Sequence, residues 1–159
     1  MEVTVRGIKA NDKTYDGTMT ATLITNGSGL YFDGKKSNDT LTVTATGTFV
    51  DPSPGTNKTV NITNLSLGGA SESNYKLASS GNQTTTTVTI KKRSITLQSG
   101  SATKEYDEKP LTKDYVTISG AGFLSGDGVT CTVTGTQTAV GSSPNSFIYT
   151  LKDSSLRSE

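Results

Sequence analysis

Histidine and tryptophan are absent from this 159-residue chain, cysteine occurs once and proline four times. Without histidine the chain lacks the usual general base near neutral pH and the commonest metal ligand. One cysteine, Cys131, cannot build an internal disulfide framework or a thiolate zinc site. The net charge is only +1, from 15 Lys and Arg against 14 Asp and Glu. A nucleic-acid binder normally carries a basic stripe that displaces phosphate counterions, so this balance argues against one. No apolar run approaches the roughly eighteen residues of a membrane-spanning helix. Hydrophobic residues make up 31%, which is low, yet so small a net charge does not hold a chain open by repulsion. The length suits one large domain or two small ones.

Strand signals fill the chain. In Leu41-Thr-Val43-Thr-Ala45-Thr the apolar residues recur at period two with threonine between them, the pattern of a half-buried strand. Val3/Val5, Val60/Ile62, Val88/Ile90, Ile95/Leu97, Val116/Ile118, Val129/Cys131/Val133 and the neighbourhood of Ile148 repeat it. Threonine suits the outward positions because its branched β-carbon favours extended backbone while its hydroxyl tolerates water. Between these runs stand Asp16-Gly17, Asn26-Gly27, Asp33-Gly34, Pro52-Ser-Pro54-Gly55, Gly68-Gly69 and Asp127-Gly128, all turn chemistry. Short strands at such spacing predict an all-β sandwich or barrel. Residues 71–77 read as a loop that leads into a strand at Tyr75.

An internal repeat organises the chain. Lys13-Thr-Tyr15-Asp16-Gly17 matches Lys104-Glu-Tyr106-Asp107-Glu108, and Leu41-Thr-Val43-Thr-Ala-Thr-Gly47-Thr matches Val129-Thr-Cys131-Thr-Val-Thr-Gly135-Thr. Continued in the second register, Val60 falls on Ile148 and Glu159 on Ser71, so the second copy has no counterpart of Tyr75-Lys-Leu77 or of the strand ending at Ile90. The expectation is two tandem immunoglobulin-like β-sandwich repeats over residues 1–91 and 92–159, the second lacking its terminal strand or strands, with a β-grasp-like small β-fold as the alternative. Lys91-Lys92-Arg93 forms the short charged junction. An incomplete second sandwich exposes an edge, so the second unit is expected to be marginal alone, patched by another chain, as by self-association through that edge, or closed by a rearranged tail; a fully paired second sandwich would show the alignment to be misread.

At these residues a family likeness appears. Lys13-x-Tyr15-Asp16-Gly17-Thr18, Gly47-Thr-Phe49, a Pro/Gly turn, Val60-x-Ile62 and Asn74-Tyr75-x-Leu77 resemble the YDG repeat of bacterial cell-surface proteins. The second copy, with Tyr106-Asp107, Gly122-x-Leu124, Gly126-Asp127, Thr134-Gly135, Val140-Gly141 and Pro144-Asn145, is similar to the MBG-type repeats of the same proteins. Glu108 stands where the motif has glycine, so the second turn is expected to differ. The resemblance implies an extracellular, adhesin-like surface protein built of such repeats, with no enzyme activity, no cofactor and no established binding residues. Met1 runs directly into a strand-like segment with no secretory leader, which fits either a cytoplasmic protein or a fragment of a longer one; the dominance of Thr, Ser, Gly and Asn favours a fragment without its leader or anchor.

The residues offer no catalytic, cofactor-binding or metal site. Tyr15 and Tyr106 are read as amphipathic rings over a sandwich edge, with Asp16 and Asp107 ordering the turns. Asp33, Asp39, Asp51, Asp107, Asp114 and Asp127 show no spacing suited to paired carboxylate catalysis, and the stretch from Asp33 to Asp39 lacks the ligand alternation of a calcium loop. Cys131, the repeat partner of Val43, is read as a core residue of valine size that resists thiol labelling. Asn-x-Thr/Ser triplets begin at Asn38, Asn57, Asn61, Asn64 and Asn82, and lysine–asparagine isopeptide cross-links would show as the loss of ammonia from the mass. Val43, Ala45, Val60, Ile62, Val129, Cys131, Val133 and Ile148 are the expected core. The function expected is a non-enzymatic structural or adhesive spacer whose partners are neighbouring repeats. The alternative is a module that binds a carbohydrate or host protein.

Overall fold

The computed structural model describes residues 1–152, which divide into two compact units, one over Met1–Lys92 and one beginning at Arg93. Glu159 lies outside the described residues. The protein is all-β: no α-helix occurs among the described residues. The first unit contains β1 (Glu2–Arg6), β2 (Lys9–Ala10), β3 (Lys13–Thr14), β4 (Thr20–Ala21), β5 (Leu23–Ile24), β6 (Tyr31–Asp33), β7 (Thr42–Phe49), β8 (Gly55–Gly68), β9 (Lys76–Leu77) and β10 (Thr85–Lys91). The second contains β11 (Ile95–Ser99), β12 (Val116–Gly120), β13 (Val129–Val133) and β14 (Phe147–Leu151). Every alternating run named above falls in or beside one of these strands. Residues 72–74, expected as loop, form a short 3-10 turn that delivers Tyr75 to the core.

In the first unit a three-stranded sheet, β6-β1-β9, shares a core with a five-stranded sheet, β3-β10-β8-β7-β4. Val5 and Ile8 pack with Val43 and Ile62, while Ala21, Phe49, Val60, Val88 and Ile90 form a second buried cluster. Burying each such Val, Ile or Phe is worth about 1.5–3 kcal/mol. Strand β8 is long and breaks register twice, once against β7 between Thr44 and Thr46 and once against β10 between Val88 and Ile90. The extra residues fit Asn64 and Asn57, both at φ 53. Asparagine tolerates this left-handed conformation, and each bulge bends the strand and strengthens its twist.

The second unit repeats part of this plan. Strands β11 and β12 pair antiparallel as β1 and β6 do. A Cβ on Gly34 would lie 2.8 Å from the Glu2 carbonyl oxygen, and one on Gly120 2.6 Å from that of Ser94. The two glycines thus hold the same place. Strands β13 and β14 form the counterpart of the β7–β8 hairpin. Their return strand corrects the alignment: Gly47 lies opposite Ile62 and Gly135 against Asn145, an offset of 83 (145 minus 62) rather than 88. Ile148 is therefore not the counterpart of Val60 and is not core; it is 64% exposed, whereas Val60 is fully buried. Strand β14 has no register shift like that at Asn64, so Thr132 lies opposite Ile148 as Thr44 lies opposite Ser66, an outward residue, and Phe147 and Leu151 are the half-buried residues.

All buried hydrophobic side chains among the described residues lie in the first unit. Val129, Cys131 and Val133 share the inward face of β13 but are only half-buried. Cys131 is thus less enclosed than Val43, its counterpart, and its expected resistance to labelling is weakened. The cause is visible in the topology: among the described residues the second unit has two two-stranded sheets, with nothing like the five-stranded sheet of the first.

Candidate functional site

The recurring Lys-x-Tyr-Asp segment forms the same turn twice. In the first unit Asp16 Oδ1 accepts from the Thr18 amide and hydroxyl, each at 2.9 Å, and pairs with Lys13 Nζ at 2.7 Å. The ammonium also donates to the Thr18 and Thr20 carbonyls and lies 5.0 Å from the centre of the Phe49 ring. These donors, the lysine foremost, lower the Asp16 pKa to about 2. In the second unit Asp107 Oδ1 pairs with Lys104 Nζ at 2.5 Å and accepts from the Lys109 amide at 3.1 Å, and the lysine likewise holds its pKa below the usual carboxylate value.

Glu108 does not change the turn as expected. It adopts φ 65, close to the φ 75 of Gly17, so the turn is kept and the side chain bears the strain. A left-handed non-glycine residue costs about 1–2 kcal/mol. Glu108→Gly is therefore expected to stabilise the second unit by about 1 kcal/mol, and Gly17→Ala to destabilise the first by a similar amount, as read by urea unfolding. Equal effects of the same sign at both positions would contradict the equivalence.

The two tyrosines part company. Tyr15 packs against the cluster of Phe49, Val60 and Ile90, and its amide donates to the Lys91 carbonyl at 2.8 Å. Tyr106 is 62% exposed. Its unit has no strand, among the described residues, in the place that β10 takes beside Tyr15.

Three other carboxylates, those of Asp39, Asp51 and Asp12, have local partners. Tyr75 donates its hydroxyl to Asp39, which raises the phenol pKa, and the Lys36 amide donates to the same hydroxyl oxygen at 3.0 Å. Asp51 is held by Lys58 and Ser53 at the tip of the β7–β8 hairpin, its pKa lowered chiefly by the lysine. Asp12 Oδ1 accepts from the Thr89 amide at 2.9 Å. Beside Asp39 an open groove is lined by Tyr31, Phe32, Lys35 and Leu41.

The most extended polar constellation is a seam between the first fifteen residues and residues 75–91. Strand β1 runs parallel to β9, with Glu2 opposite Lys76 and Val3 opposite Leu77. Strand β3 runs parallel to β10, with Lys13 opposite Ile90 and Thr14 opposite Lys91. Between these two ladders the seam continues through side chains. The Ala78 and Gln83 amides donate to the Val3 and Val5 carbonyls, each at 2.9 Å. The Val5 amide donates to Asn82 Oδ1 and the Ile8 amide to Gln83 Oε1, both at 2.9 Å, while Gln83 Nε2 returns a bond to the Ile8 carbonyl at 2.7 Å. Two amide side chains thus carry the hydrogen bonding across a stretch where the chain leaves the sheet. Neither residue stood out in the sequence, where Asn82 was noticed only as the start of an Asn-x-Thr triplet. A Gly81-Asn82-Gln83 break ahead of the Thr84-to-Thr87 run was the one available sign.

The seam is built of ladder bonds and side-chain-to-backbone hydrogen bonds. It joins the two ends of a unit directly, and its polar groups are spent on backbone partners. Among the curated proteins and the solved structures, none matches this chain. The family model described as YDG domain matches residues 1–87, which span β1 to the middle of β10 and so contain the Lys-Tyr-Asp turn, the cluster of Val5, Ile8, Val43 and Ile62, the other cluster except Val88 and Ile90, and most of the terminal seam. By that match the chain belongs to the YDG domain family.

Proposed function

We propose that the protein is a non-enzymatic, load-bearing spacer of a bacterial cell-surface protein, in which immunoglobulin-like β-sandwich units, the second of MBG type, stand in tandem and hold a distal region away from the cell. The observation that carries this reading is the direction of the terminal strands. Tension enters β1 at its N-terminal end and leaves the paired β9 toward its C-terminal end. Because those strands are parallel, the pull drags them past one another and loads all their hydrogen bonds together. The β3–β10 pair is loaded in the same sense. An antiparallel hairpin pulled at its open end instead yields one bond after another.

Single-molecule force spectroscopy tests this. Pulled through positions 1 and 92, the first unit is expected to unfold at a distinctly higher force than when pulled through positions 40 and 70, which peels β7 from β8. Equal or lower force along the end-to-end axis would remove the mechanical argument.

The groove beside Asp39 supports a second reading, a module that binds a carbohydrate or host protein. Tyr31 is 52% exposed there and offers a ring for stacking, with Lys35 and Asp39 as polar neighbours. Saturable retention on glycan or matrix-protein arrays, lost in Tyr31→Ala, would favour it over the spacer.

A further inference from the structure

We propose that Asn26-Gly27 is a site of spontaneous self-modification, at which the asparagine cyclises onto the following amide and the ring hydrolyses to aspartate and isoaspartate. The inference stands apart from the spacer reading, because it rests on the turn between β5 and β6 alone. This is the only Asn-Gly pair in the chain. Every other asparagine precedes a residue whose Cβ crowds the amide that would have to attack.

The fold leaves both partners of the reaction free. Asn26 and Gly27 are exposed. Among the described residues neither the Asn26 side chain nor the Gly27 amide makes a hydrogen bond. Asn82 and Asn145 stand in contrast. Asn82 Oδ1 accepts from the Val5 amide at 2.9 Å and its Nδ2 donates to the Ala78 carbonyl at 2.8 Å. Asn145 Nδ2 donates to the Gly100 and Lys113 carbonyls, at 2.8 and 2.9 Å. An amide so held cannot turn its carbon toward the next nitrogen without breaking those bonds.

Asp-Gly pairs close the same ring, but an ionised carboxylate is a poor electrophile. Asp16 is kept ionised, because Lys13 and the Thr18 amide and hydroxyl all bind Oδ1 and lower its pKa to about 2. Asp33 is fixed in the β1–β6 ladder opposite Thr4.

Water is the only co-reactant. The Gly27 nitrogen gives its proton to solvent base and bonds to Asn26 Cγ, closing a five-membered imide. The Cγ–Nδ2 bond breaks, and the nitrogen takes up a proton and leaves as ammonia. Water then opens the ring at either carbonyl. Attack at Cγ restores the peptide bond and leaves aspartate. Attack at the Asn26 backbone carbonyl releases that carbon as the carboxylate and routes the main chain through Cγ, which is isoaspartate. A Cβ on Gly29 would lie 3.7 Å from Lys9 Nζ, so an ammonium stands over the turn. Its charge favours the anionic nitrogen and the anion that forms on the amide oxygen.

Both products place a carboxylate where the chain has a neutral amide. Asn26 and Gly27 line the groove that holds Tyr31, Lys35 and Asp39, so that groove acquires a further negative charge. Isoaspartate also lengthens the backbone by a carbon just ahead of the Gly27 carbonyl, which accepts from the Leu30 amide at 3.0 Å.

The test incubates the full chain in mildly alkaline buffer and follows its peptides by mass spectrometry, with isoaspartate read by enzymatic methyl transfer. The mass gain of an amide turned acid is expected at residue 26, with isoaspartate among the products, and is expected to slow in mildly acidic buffer. Gly27→Ala is the decisive variant. Gly27 lies outside the left-handed region and a Cβ there meets only Ile24 Cγ2, at 3.4 Å, so the fold accepts alanine. The variant is expected to slow the gain at least tenfold with the far-UV spectrum unchanged. A synthetic peptide of residues 22–31 gives the rate without the fold. Three outcomes would overturn the proposal: residue 26 of the folded chain intact after the peptide has been converted, aspartate formed with no isoaspartate, or Gly27→Ala converting as fast as the native chain.

Discussion

Phe49→Ala is expected to remove about 3–5 kcal/mol from the first unit, the usual range for deleting a buried aromatic ring. Phe49 is 1% exposed and packs with Ala21, Val60, Val88 and Ile90, so β4, β8 and β10 all lose contacts when the ring goes. The neighbours are anchored in a hydrogen-bonded sheet and cannot collapse far into the space. The ring also lies beneath the Lys13 ammonium, a contact worth about 0.5–1 kcal/mol at exposed sites. A unit of this length carries a total stability of about 5–14 kcal/mol, at roughly 0.05–0.15 kcal/mol per residue. The loss is thus a large fraction of the whole. Urea unfolding followed by hydrogen exchange in peptides from residues 1–92 measures it, with Val50→Ala as the control. Val50 is the next residue and is 59% exposed, so its truncation is expected to stay within about 0.5 kcal/mol. Similar midpoint shifts for the two variants would mean that the β7 face was assigned the wrong way round.

That assignment was legible in the sequence for a physical reason. Alternation at period two is unambiguous where one face is buried and the other wet, and β1, β7, β8 and β10 all have that character. Around Ile148 the alternation is ambiguous. Phe147-Ile148-Tyr149-Thr150-Leu151 is apolar at four of its five positions, so either phase fits. The pairing with β13, invisible in the strand itself, places Ile148 outward. The two-residue strands β2, β5 and β9 are too short to show any period. Parallel pairing leaves no mark on the alternation of either partner, so the seam between the ends of the first unit could not be read directly.

The repeat was legible as composition and order, and the Lys-x-Tyr-Asp turn proved to be its most faithful element. Lys13 with Asp16 and Lys104 with Asp107 make the same contact because a carboxylate three residues after a lysine closes the turn on itself, independent of the sheet around it. Tyr15 and Tyr106 diverge because a ring needs a covering strand. Glu108 misled for a related reason. Glycine is the cheap solution for a left-handed residue, but a cost of about 1–2 kcal/mol does not prevent another residue from standing there. Asn82 and Gln83 were hidden by company. In a chain so rich in Thr, Ser and Asn, two more amides read as solvent-facing until their partners are seen.

Gln83 supplies the sharpest test of the seam. Its side chain accepts from the Ile8 amide and donates to the Ile8 carbonyl, while Ile8 itself is 1% exposed. Gln83→Ala strands both backbone groups, and each unsatisfied buried group costs about 1–3 kcal/mol, so a loss of about 2–4 kcal/mol is expected. Gln83→Glu separates the donor from the acceptor. At pH 7 an ionised glutamate still accepts from the Ile8 amide but faces the Ile8 carbonyl with negative charge, so the loss is expected to match or exceed that of alanine. A protonated glutamate offers one hydroxyl donor and one carbonyl acceptor, which restores both bonds. Because the folded state favours the neutral form, the glutamate pKa is raised above its unfolded value of about 4.3, and the stability lost at pH 7 returns as the pH falls through the raised folded value. The native chain behaves oppositely: Asp16 and Asp107 have lowered pKa values, so their contribution is complete above about pH 4 and declines only below it. Between pH 7 and 5 the native midpoint in urea is therefore expected to stay level while that of Gln83→Glu rises toward it. Parallel curves for the two proteins would show that the Gln83 amide does not hold the Ile8 backbone, and the seam would then rest on its two short parallel ladders, the Ala78 and Gln83 backbone bonds and the Asn82 side chain.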